Sequence, residues 1–146
     1  MLSSESFFLQ AEAATRGWIS SPAAALYESG VRESFIYLGV PVSALPDYLS
    51  QESVRFESAG NKLQRIIEQK WLALNSITSM EGWNDFRRLG YLAVPNSLDG
   101  PGANLFPNRF VYPETERMTN NENASLQGND DILSSKVCWV NNNAKL

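Results

Sequence analysis

This chain predicts a mainly α fold, built of helical hairpins with a long irregular proline- and asparagine-rich C-terminal segment packed on them. Three observations carry that reading. Between residues 5 and 90, apolar side chains recur at three- and four-residue intervals, the period of one helix face. Glycines and a Ser-Pro pair divide that stretch into pieces of helix length. After Tyr91 the period stops, and Pro95, Pro101, Pro107 and Pro113 are spread through Gly- and Asn-rich sequence, which excludes helix there.

In the first piece, residues 5 to 16, Phe7, Ala11 and Ala14 form one stripe extended by Trp18, with Ser3 or Ser4 as caps and Gly17 as a stop. Ser21 and Pro22 start the second, since serine can cap free amides and proline is pre-set for the first helical position. It should run to about Leu38 and end at Gly39. Its Ala23, Tyr27, Gly30 and Ser34 share one face, small residues alternating with a ring. Beside Phe7 and Ala11 this resembles a tetratricopeptide unit, in which small residues let antiparallel helices approach. Gln10, Ala14 and Phe35 stand where that repeat usually has Leu, Tyr and Pro. From Val40 to Gly60, Pro41 and Pro46 break the pattern and predict a long connection.

The second hairpin spans residues 61 to 90. Leu63, Ile66, Ile67, Lys70, Trp71 and Leu74 share one helix face, and Trp83, Phe86, Arg87 and Gly90 share another. Ser76 and Ser79 can cap the latter helix, with Glu81 in its first turn. In the tail, residues 91 to 146, short strands are expected at Arg109 to Tyr112 and at Lys136 to Val140. Apolar anchors including Phe106, Phe110 and Tyr112 would dock the tail on other structure.

At 146 residues with 43% hydrophobic and 19% charged side chains, the chain fits one folded domain. A net charge of -4 gives no electrostatic reason to expect nucleic-acid binding. There is no histidine, which removes Ser-His-Asp and Cys-His catalysis and the usual zinc sites. Cys138 is the only cysteine and reads as a small packed hydrophobe between Val137 and Trp139. No apolar run approaches the ~20 residues of a membrane span.

Taken in order, ESFFLQAEAATRGW, ALYESGVRESFIYLGV, IIEQKWLALN, EGWNDFRRLGY, PNRFVYPETERMTNNEN and KVCWV resemble the C-terminal region of the SusD/RagB family, in its SusD-like subgroup. The resemblance covers nearly the whole chain, residues 1 to 146, as the C-terminal part of a single domain. Members are outer-membrane lipoproteins of Bacteroidetes that sit over a TonB-dependent, SusC-like transporter and capture glycans or other nutrients. It implies a non-catalytic, nutrient-binding accessory protein without cofactors, facing outward on an N-terminal lipid anchor that is missing here, so that the chain would be a C-terminal fragment. The other reading of the helices is a non-catalytic repeat scaffold for protein-protein contact. Two positions depart from the family pattern: Cys138 and Trp139 replace a frequent tryptophan pair, and Leu92 replaces a usual proline.

The candidate site residues are few. Tyr48, in the proline-bounded connection near Asp47 and Gln51, is the ring least explained by packing and the one ligand candidate. Trp18, Trp71, Trp83 and Trp139 are expected in the core. Arg87 is expected to hold the scaffold by pairing with Glu68 or Glu12, and Arg88 to meet Asp85 or Glu81. Asn129, Asp130, Asp131, Glu114 and Glu116 offer oxygens, but their spacing is not that of a calcium loop and a solvated acidic turn is expected. No metal site and no general acid-base pair for glycoside hydrolysis emerges.

Overall fold

In a computed structural model, which describes residues 2-95, 106-128 and 130-138, the chain divides into two compact units, residues 1-85 and 86-146. The first is helical: α1 Ser3–Thr15, α2 Ala23–Tyr37, a 3-10 turn Val42–Ala44, α3 Leu45–Ser50 and α4 Lys62–Leu74. Helix α5, Ser79–Leu89, begins in the first unit and ends in the second, which also contains α6 Glu114–Thr119 and α7 Asn121–Leu126. No helix among the described residues is long and apolar enough to cross a membrane.

Helices α1, α2, α4 and α5 stand where the periodicity places them. Helices α1 and α2 pack on each other, and both touch α4. Their core is Phe8, Ala11, Tyr27, Val31, Phe56, Ile66 and Ala73. The ring of Tyr27 meets Phe8 edge-on at 6.1 Å between centroids and lies 5.2 Å from Phe56. Its hydroxyl donates a 2.5 Å hydrogen bond to the Val54 carbonyl, which ties the connection to α2. On α1 the buried face is Ser4, Phe8, Ala11 and Glu12 rather than the stripe through Phe7. The reason lies across the interface, where the bare Cα of Gly30 admits the Phe8 ring: a Cβ there would stand 2.9 Å from that ring.

Helix ends differ in detail. Gly39, at φ +70, follows the end of α2 in the left-handed conformation that favours glycine, as Gly17 does after α1. The expected serine caps do not form: α1 starts at Ser3 itself, α2 starts after Pro22, and neither has a side-chain cap. Ser76 sits at φ 64 and Ser79 is already the first residue of α5. The cap that does form is Asn61, whose side chain accepts from the Gln64 amide at 3.1 Å.

Three expectations about irregular sequence are corrected. The connection from Val40 to Gly60 contains the 3-10 turn and α3, because Pro46 stands in the first turn of α3, where it lacks no needed donor. Helix is present after Tyr91: Pro113 precedes α6, and no proline follows to stop α6 or α7. Neither strand forms among the described residues, and positions 139 and 140 lie outside them. Leu92, at the family's usual proline position, is buried. Cys138 is exposed rather than packed.

Candidate functional site

The densest polar arrangement in the second unit is centred on Asp130, which is 9% exposed. One carboxylate oxygen accepts the Tyr112 amide at 2.9 Å and the other accepts from the Arg117 guanidinium. Pro113 starts α6 immediately after Tyr112, so Arg117 falls in the last turn of that helix facing the same carboxylate. The Tyr112 amide and the Arg117 cation hold the Asp130 carboxyl below its usual value of 3.8. Asp131 is also lowered, by the Ser134 amide and hydroxyl and the Leu133 amide, which close a tight turn. Asp130 is thus held in a clamp, while Asp131 and Glu114 are exposed, as a solvated acidic turn requires.

A hollow of about 290 Å³ opens beside this clamp, lined by Tyr112, Arg117, Asn121, Ser125, Gly128 and Asp130 among others. The Asn121 carbonyl oxygen accepts from the Ser125 hydroxyl at 3.3 Å. The Arg109 guanidinium lies 4.8 Å from the centroid of the Tyr112 ring. Ring, amide, hydroxyl and ion pair thus converge on one concavity. Within the same unit, Asn108 joins two segments through its amide to Ile132 at 2.7 Å and its side chain to the Leu133 carbonyl.

The residues singled out in the sequence are placed as follows. Tyr48 lies on α3, half-buried, with its ring 5.2 Å from Phe35 and its hydroxyl donating to Gln69 at 2.8 Å. It borders a hollow of about 140 Å³ with Leu38, Val40 and Leu72. Arg87 is buried; it donates a 2.6 Å hydrogen bond to the Asn108 carbonyl, and burial pushes the pKa of its guanidinium down. Glu12 receives Arg16 at 2.9 Å and Glu68 receives Gln64 at 2.8 Å. Asp85 forms a 2.8 Å ion pair with Lys70 on α4, and both side chains are buried. Trp71 and Trp83 are half-buried rather than in the core, at its margin on α4 and α5. Trp18 is instead 71% exposed, with the Arg16 guanidinium 5.3 Å from its ring, since the chain turns at Gly17 before the stripe reaches it. Trp139 and Asn129 lie outside the described residues. Sequence reasoning missed the Asp130 clamp, because its partners stand 13 and 18 positions away.

Paired helices with half-buried rings and small polar hollows make a scaffold suited to binding. Comparison with known proteins gives the family: the chain belongs to the SusD-like family described as starch-binding and associating with the outer membrane, whose profile matches residues 1-113. A SusD homologue of Bacteroides fragilis superimposes with a TM-score of 0.77 at 30% identity over 93% of this chain and 34% of its own. A SusD homologue of Parabacteroides distasonis gives 0.75 at 33% identity over 97% and 33%. A Bacteroides vulgatus outer-membrane protein described in terms of nutrient binding gives 0.77 at 26% identity over 95% and 34%. The chain thus spans about a third of the length of these relatives. Against proteins of curated function it has no match.

Proposed function

We propose that this chain is the C-terminal part of a nutrient-binding accessory protein, binding glycan in the first instance, in a TonB-dependent outer-membrane uptake system. In this reading the whole protein forms a single domain, faces outward on an N-terminal lipid anchor and passes its ligand to a SusC-like transporter without catalysing a reaction. The observation that supports it is the family match over residues 1-113, together with relatives described as starch- or nutrient-binding. Tyr48 remains a candidate ligand contact at the rim of its hollow, although Phe35 and Gln69 already engage its ring and hydroxyl. Two measurements test the reading: co-purification of the full-length parent with a transporter from outer membranes, and binding of the parent to immobilised glycans. Failure of both would overturn it.

One observation favours a second reading, the non-catalytic scaffold for protein-protein contact. The end of α2 and the segment after it expose Ile36, Tyr37, Leu38, Val40 and Val42, with Leu38 and Val40 lining the same hollow as Leu72. Exposed apolar side chains gathered in one segment are a feature of protein contact surfaces. Transporter binding without glycan binding would select this reading.

A further inference from the structure

We propose that the hollow beside the Asp130 clamp is a saccharide subsite that takes one neutral pyranose unit, a site within the 86-146 unit that deepens the glycan-binding reading and rests on it. Its volume, about 290 Å³, lies just below the range of drug-sized ligand pockets, roughly 300 to 1,000 Å³. That suits a single ring rather than a stretch of polymer.

The chemistry of the lining favours a polyhydroxylated, uncharged ligand. Arg117 and Asp130 form an ion pair, so their charges cancel at the wall and an anion gains little there. A guanidinium carries five N–H donors, more than the contact with Asp130 uses, and Arg117 lines the hollow. Asn121 uses its carbonyl oxygen on Ser125 and keeps its NH₂ group for a ligand. These donors face the oxygens of adjacent hydroxyls. The Tyr112 ring, braced by Arg109, supplies an apolar surface for the C–H face of a sugar. The Tyr112 amide and Arg117 fix Asp130 from two sides, so the wall is ordered before a ligand arrives and less freedom is lost on binding.

The test titrates ¹⁵N-labelled protein with methyl glycosides of glucose, galactose, mannose and N-acetylglucosamine, following backbone amides by NMR. Asn121→Ala removes the free amide, and Ser125→Phe fills the hollow; neither touches the Asp130 clamp. The expected result is shifts confined to Tyr112, Arg117, Asn121, Ser125 and Gly128 for at least one sugar. Affinity should fall by about tenfold in Asn121→Ala, and binding should vanish in Ser125→Phe, with both variants keeping the wild-type spectrum elsewhere. Shifts at other residues, or wild-type affinity in both variants, would overturn the subsite while leaving glycan binding by the protein intact. No shift with any of the sugars would also overturn it, and transporter co-purification would then judge the wider reading separately.

Discussion

The Lys70-Asp85 pair offers the sharpest measurement on the helical unit. Its charged atoms are 2.8 Å apart with side chains only 3% and 7% exposed. At an effective dielectric near 20 the attraction is about 6 kcal/mol, which is offset by a desolvation cost of several kcal/mol per ion. The intact pair therefore contributes little net stability, whereas removing Asp85 strands the Lys70 ammonium. Asp85→Leu should cost about 3–5 kcal/mol because the Lys70 ammonium stays buried. The double variant Lys70→Met with Asp85→Leu, apolar and of similar size, should fall within about 1 kcal/mol of wild type or exceed it. The assay is urea unfolding of the four proteins of the cycle, followed by circular dichroism and by fluorescence, with Lys70→Met as the fourth member. The reasoning is refuted if Asp85→Leu costs under about 1 kcal/mol, or if the two single effects add to the double within about 0.5 kcal/mol.

Other expectations are as specific. Gly30→Ala should destabilise by up to about 2 kcal/mol, because overpacking against Phe8 (about 1–3 kcal/mol) outweighs a helix-propensity gain of about 1; with Phe8→Leu in the background, the same change should become neutral or stabilising in thermal melts. Tyr27→Phe should cost about 1–3 kcal/mol by leaving the buried Val54 carbonyl unpaired. Because burial raises the Tyr27 pKa above 10.0, wild-type stability should hold in full below pH 10 and fall as pH climbs beyond it, a dependence that Tyr27→Phe weakens. Asp130 has a lowered pKa, so its clamp should be complete at and above the ordinary value of 3.8 and be lost as pH falls through its own lower value; protection of the Tyr112 amide in hydrogen exchange reports this, and Asp130→Asn should abolish the dependence. Arg87→Met should lower the melting temperature and leave ligand binding by the full-length parent unchanged.

Much of the helical unit was legible in the sequence because its signals are local. Ile66, Ile67, Lys70 and Leu74 declare a face by spacing alone, and all four are buried. Phe7 and Phe8 show the limit, since each belongs to a plausible stripe and the choice is made by the room that Gly30 leaves on another helix. Proline was read too broadly after Tyr91: it forbids helix through its own position but favours one directly behind it, as Pro113 does for α6. The tail hollow was illegible for a different reason. Tyr112, Arg117 and Asp130 come together only through tertiary folding, and no short motif announces an aspartate that bridges a backbone amide and an arginine. Family membership was legible because several separate blocks keep their order, a signal that does not depend on knowing any contact.

The exposed position of Cys138 has a practical consequence. With no second cysteine in the chain, a maleimide dye or spin label attaches at one place without any mutation. A disulfide, equally, can join this thiol only to another molecule and never to its own chain, so a covalent dimer on a non-reducing gel would locate the cross-link by itself.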